Sequence, residues 1–365
     1  MRLIRVLAVL TLILILGFGG LLAYRGYRQH KNKLAFTIDK SVGIQESMFV
    51  PIGGIEQYVL IRGENKNNPV ILFLHGGPGL ATSPLYPWFI PWEKHFTMIQ
   101  WDQRGAGKTY GRYGKNTPDL NADRLESDGI ELAEYLQKHL QTNNIILLGH
   151  SWGSYLGLRM IAHRPDLFKA FIGTGQSIKG DEGDLTGYNL VLKKARDADD
   201  SKTVEDLLKI GAPPWKDSKT MMAARNYYVN YTPQKEIPLI YMKRSIPTAL
   251  FAPGIRLKDI IDNINGGLFS LDVFASFLNT IDARGIGLSY DVPMYFILGN
   301  LDYVNPVPLV ERFVKDITAP HKEVVILNGA GHNAVLTDSD RFLSELLPRL
   351  IPLEPIDKTH SGNGN

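Results

Sequence analysis

The sequence predicts an α/β protein: a mostly parallel sheet with helices on both faces, an inserted helical cap and an N-terminal transmembrane helix. Three observations carry that expectation. Short, fully apolar runs such as "VILFL", "IILLG" and "MYFIL" alternate with helical patterns, as strands buried on both faces do. Residues 178–285 break this rhythm and read as helices and loops without a strong strand. Residues 6–24 carry no charge at all.

That first segment is the N-terminal element. As a helix its 19 residues extend about 28 Å, close to the hydrocarbon thickness of a bilayer. A cleaved signal peptide has a shorter apolar core and a small-x-small site, and Leu21-Leu22-Ala23 is a poor one. A core helix is rarely apolar all round. The expected form is therefore an uncleaved single-pass anchor in 1–33, ending in a basic linker with Arg25, Arg28, Lys31 and Lys33. These charges favour a cytoplasmic body. Large C-terminal domains cross regardless of such charges, and the absence of cysteine fits a bacterial envelope, so the expected location is extracytoplasmic.

The body follows in order. "ESMFVPI" and "IEQYVLIRG" read as a hairpin turning at Gly53-Gly54. "VILFLHGGPG" and "FTMIQWDQRGAG" are apolar runs that end in glycines. Residues 125–140 are helical by their apolar spacing. "NNIILLGH" is a strand, 152–163 a helix closed by Arg164-Pro165, and "LFKAFIGTG" a strand. After the insertion come "VPMYFILGN", a helix over 308–315, "KEVVILNGAGH" and a last helix over 339–350. The expected division is a body of 34–177 and 286–353, a cap of 178–285 and a disordered polar tail of 354–365.

Composition narrows the function. Forty basic and 37 acidic residues leave a net charge of +3 with no basic patch in the body, so nucleic acid is not an expected partner. With no cysteine, disulfides, thiol catalysis and thiolate metal sites are excluded.

Gly149-His150-Ser151-Trp152-Gly153 lies where a buried strand gives way to a helix. A serine hydroxyl is a weak nucleophile and must be exposed, oriented and paired with a base. A sharp strand-to-helix turn lifts it out at the carboxyl edge of a parallel sheet, and the crowding there requires glycines two residues to either side. The dipole of the following helix favours negative charge beside it. An acid and then a histidine should follow in chain order, each just past a strand. Asp302 comes four residues after Leu298, and His332 five after Leu327. The expected catalytic set is Ser151 as nucleophile, His332 as base and Asp302 holding its tautomer. Asp291 falls at the wrong edge and Asp316 on a helix. "HGGPG", 75–79, offers the Gly77 N–H to an oxyanion, with the Trp152 N–H as its partner; Pro78 has none to give. "DQRGAGKT" lacks the spacing of a phosphate loop and reads as a structural turn, with Arg104 in a buried ion pair.

"LHGGPG", "WDQRGAGKT" and "GHSWGS" together resemble the proline iminopeptidase branch of the α/β-hydrolase superfamily. With Asp302 and His332 the resemblance covers about residues 45–350. It implies the α/β-hydrolase fold, the same triad, a helical cap, no metal and no organic cofactor, and a small-molecule or peptide substrate. The sequence departs from the branch in three ways. Lys216, not an acid, follows the one cap tryptophan, Trp215; His150 stands in place of a second glycine; and the branch is usually soluble. Asp181, Glu182 and Glu236 remain as acids for a substrate ammonium, and Tyr227, Tyr228 and Tyr231 as pocket or packing residues. Three functions stay open: a serine hydrolase of N-terminal amides, a carboxylesterase of small apolar esters, and a non-catalytic binding protein. An epoxide hydrolase or dehalogenase would need aspartate at 151.

Overall fold

The computed structural model describes residues 2–351 except 144 and 216. Its centre is an eight-stranded sheet in the order β1-β2-β4-β3-β5-β6-β7-β8. β1 (Ile44–Ile52) and β2 (Ile55–Gly63) form the expected hairpin, and both turn glycines take positive φ, as a tight two-residue turn requires. β2 runs antiparallel to β4 (Thr97–Asp102). From β4 onward every pairing is parallel: β3 (Val70–Leu74), β5 (Ile145–His150), β6 (Ala170–Thr174), β7 (Met294–Gly299) and β8 (Lys322–Leu327). The chain leaves β3 toward β4 and then returns to β3's other side with β5. Such a reversal opens a crevice at the carboxyl ends of the strands.

The period-2 alternation of the strands splits the core in two. Val70, Leu72, Leu74, Ile145 and Leu147 face the helices α3 (Ala122–Leu140), α4 (Trp152–His163) and α10 (Val307–Asp316). Ile71, Phe73, Ile146 and Leu148 face α12 (Ser339–Leu350) and the 3₁₀ stretch Ser83–Lys94, where Trp92 stacks on Phe342 at 5.9 Å. The short helices α2 (Gly107–Tyr113) and α11 (Ala334–Thr337) follow β4 and β8. Arg104 pairs with Asp128 at 2.8 Å, both fully buried, which fixes the turn before α2.

Between β6 and β7 lie five helices: α5 (Gly180–Asp197), α6 (Ser201–Ile210), α7 (Ser218–Tyr228), α8 (Pro238–Phe251) and α9 (Leu257–Thr280). They have a small core of their own, with Tyr188, Val191, Leu207, Trp215, Met221 and Tyr228.

α1 runs unbroken from Arg2 to Ala35, which corrects the expected linker. Its apolar part has a mean hydropathy of 2.7 and none of it is buried, so by length and composition it can cross a membrane. Its end is held by the cap. Arg25, Gln29 and Asn32, spaced four and three apart on one helical face, donate to the carbonyls of Ile255, Ala252 and Phe251 at 2.6, 2.9 and 3.0 Å. These partners continue the helix where a free linker would fray. The tail at 354–365 lies outside the described residues.

Candidate active site

Ser151 occupies the turn between β5 and α4 with φ +54° and ψ −121°, a strained conformation for a residue with a side chain. Its N–H donates to the Thr174 carbonyl of β6 at 3.0 Å, which pins the turn to the sheet. The flanking glycines are sterically required. A Cβ on Gly153 would overlap the Leu74 carbonyl oxygen, and one on Gly149 would sit 2.5 Å from the Gly153 carbonyl oxygen.

The structure brings the three predicted residues together. Ser151 Oγ donates to His332 Nε2 at 3.0 Å, and His332 Nδ1 donates to Asp302 Oδ2 at 2.9 Å. Asp302 is held in turn: its Oδ1 accepts from the N–H groups of Val304 and Asn305 at 2.9 and 2.8 Å. The Asn305 amide reaches across to the Gly175 carbonyl at 2.6 Å, tying the β7 loop to the β6 loop. Burial by itself would lower the His332 pKa. The charge and hydrogen bond of Asp302, with the nearby charge of Glu236, outweigh it and raise that pKa above the ordinary histidine value.

Two further groups grip the His332 loop. His150, the departure from the branch's glycine, donates from Nε2 to the His332 carbonyl at 3.0 Å; a carbonyl only accepts, so this nitrogen carries the proton. Burial pushes the His150 pKa down to about 3, leaving it neutral. Glu236, at the foot of α8, is buried with its carboxylate accepting from the Gly331 N–H at 3.1 Å and the Thr337 hydroxyl at 3.4 Å. Burial raises its pKa. Of the three acids considered for an ammonium, Glu236 thus faces the histidine loop, Glu182 pairs with Arg312 at the surface, and Asp181 is exposed.

Gly77 and Trp152 border the same cavity as Ser151. Its volume is about 40 Å³, room for only a few waters. The far wall is cationic. Arg225 of α7 holds Asp184 of α5 at 2.7 Å, and Lys179 stands beside them, giving two positive groups against one negative. Tyr228 packs into the cap core, while Tyr227 and Tyr231 bond outward to Asp206 and Asp200. The tyrosines are thus packing residues in this structure. Trp215 is buried in the cap. No local pattern announces the Arg225–Asp184 pair, whose partners lie 41 residues apart.

Residues 69–203 match the family described as alpha/beta hydrolase fold. A Bacillus subtilis protein named "Probable aminopeptidase YbaC" is 29% identical over 84% of this chain and 96% of its own length. A "Probable proline iminopeptidase" from Leptolyngbya boryana is 33% identical over 33% of this chain and 36% of its own length. The crystal structure of a proline iminopeptidase from Mycobacterium smegmatis superposes with a TM-score of 0.57 at 17% identity, over 84% of this chain and 98% of that one. Fold, family match and relatives agree with the motifs around Ser151: the chain has the α/β-hydrolase fold and is similar to proteins of the proline iminopeptidase-like branch.

Proposed function

We propose that the protein is a membrane-anchored serine hydrolase that opens acyl bonds through an acyl-enzyme, esters in preference to N-terminal amides. The observation that carries this is the unbroken hydrogen-bond chain from Ser151 Oγ through His332 to Asp302. In this reading His332 Nε2 takes the hydroxyl proton as Ser151 Oγ attacks the carbonyl carbon. The Gly77 and Trp152 N–H groups stabilise the oxyanion. The imidazolium, steadied by Asp302, gives its proton to the leaving group. Water then repeats the sequence on the acyl-enzyme and releases the acid. Residues 1–33 anchor the chain, 34–177 and 286–353 form the body, 178–285 gates it, and the body lies outside the cytoplasm.

The ester preference follows from the cavity's charge. A substrate ammonium needs an unpaired carboxylate, since burying it unpaired costs several kcal/mol. Asp184 is already taken by Arg225, with Lys179 beside it. The second reading, an aminopeptidase, draws on the names of the relatives. Labelling with a fluorophosphonate tests the nucleophile: the wild type should label and Ser151→Ala should not. Comparing kcat/KM for a short acyl ester and a prolyl arylamide separates the readings, and a faster arylamide overturns the ester preference.

A further inference from the structure

α8 and α9 present apolar side chains to the outside. Leu239, Met242 and Ile246 are 64, 50 and 47% exposed, at spacings of three and four along α8. Leu257, Ile261, Ile264 and Leu268 are 39, 57, 56 and 65% exposed, at spacings of four, three and four along α9. Each set therefore forms one stripe on its helix. A soluble protein rarely leaves such contiguous apolar surface to water, and when it does the surface marks a partner.

The place of the stripes says which partner. The corner between α8 and α9 is where α1 docks. Arg25 and Gln29 both bind the Ile255 carbonyl, two residues before α9 begins, and Tyr24 meets Phe251 edge-on at 5.8 Å. Tyr24 is also the last residue of the uncharged span, the position where aromatic side chains mark the edge of a bilayer. The corner is thus in contact with the end of the membrane segment. Charge agrees. α8 contains Lys243 and Arg244 and no acid. On the first half of α9 both acids are buried and paired, Asp259 with Arg256 and Asp262 with Lys258. Such a face suits anionic headgroups.

The α9 stripe also leads to the active site. Leu268 lies eleven residues, about 17 Å, from Leu257. At the neighbouring Gly267 the helix is packed by Leu80, which is 53% exposed and three residues beyond Gly77. We propose that the α8–α9 ridge lies in the bilayer interface beside the anchor, and that the enzyme draws apolar acyl substrates from the membrane along α9 to Leu80. The proposal rests on reading α1 as a membrane anchor, which the experiment checks separately.

The chain has no cysteine, so each introduced one carries a single label. Full-length protein in vesicles of phosphatidylcholine and phosphatidylglycerol is labelled with a fluorophore at Leu14→Cys, Ile264→Cys, Leu268→Cys or, as a control on the body's exposed α3 surface, Lys138→Cys. Brominated lipid should quench labels at 14, 264 and 268 several-fold more than at 138. Quenching at 14 with none at 264 and 268 overturns the ridge proposal alone; no quenching at 14 overturns the anchor and the ridge together. Labels on α9 that respond to protein concentration and not to brominated lipid assign the ridge to a second copy of the chain and also overturn it. An Ile261→Glu/Leu268→Glu variant should keep its turnover of a short water-soluble ester within twofold and lose at least fivefold on a long-chain ester presented in vesicles. Equal retention of both activities overturns entry along α9.

Discussion

The carboxyl edge of the sheet and the cap above it are built on different terms. At the edge, every candidate catalytic group projects from a strand end whose backbone is buried in the main core, and close neighbours in sequence dictate its geometry. Gly149 and Gly153 leave room for one path through residue 151. Val304 and Asn305, next to Asp302, hold its carboxylate. The cap has a small core of its own, and it meets the site through Phe274 and Phe277, which pack on Trp152, and through polar groups from distant points of the chain such as Glu236. Under the proposed function, the edge is where chemistry is placed and the cap is where a substrate is chosen and admitted.

Substitutions test that contrast. The largest effect belongs to the edge. Ser151→Ala should lower kcat by roughly 10⁴- to 10⁶-fold in a protein whose circular dichroism is unchanged. Activity within tenfold of wild type would remove the edge from the chemistry. Asp302→Asn should cost about 10³- to 10⁴-fold, because the amide no longer holds the proper imidazole tautomer. It should also move the acid limb of the rate profile. His332 acts as a base only when neutral, so activity falls as pH drops through its raised pKa. Removing Asp302's charge lowers that pKa, and the limb shifts to lower pH.

Glu236→Gln tests whether the cap reaches into the edge. Its charge also raises the His332 pKa, so the limb should again move to lower pH, by less than for Asp302→Asn, with kcat down about tenfold. A profile that does not move would confine Glu236 to packing. The smallest chemical effect should come from Asp184→Ala together with Arg225→Ala. A short activated ester should react within about threefold of wild type, while the ratio of ester to arylamide kcat/KM changes by tenfold or more. If both substrates fall equally, the cap does not choose.

The same contrast explains what the sequence could disclose. The strand-to-helix turn was legible because its cause is steric and lies within five residues. Asp302 and His332 were legible because a parallel sheet puts such residues at strand ends. Arg104's buried partner could be expected from an arginine in an apolar turn, but not named. The cap was legible only as a break in rhythm. In the sequence Glu236 is one of three acids open to an ammonium, and nothing near it in the chain points to Gly331, 95 residues on. The extension of α1 through its basic stretch was hidden for the same reason, since the carbonyls that hold it lie more than 200 residues away.

That extension decides where the protein can be cut. A chain begun at 34 would be rid of its greasy segment but would also lose Arg25, Gln29 and Asn32, leaving the carbonyls of Phe251, Ala252 and Ile255 to water. Proteases and deuterium should then find the α8–α9 corner first, and a gate measured in that form would swing more freely than the native one. A cut shortly before Tyr24 keeps the latch and discards the rest.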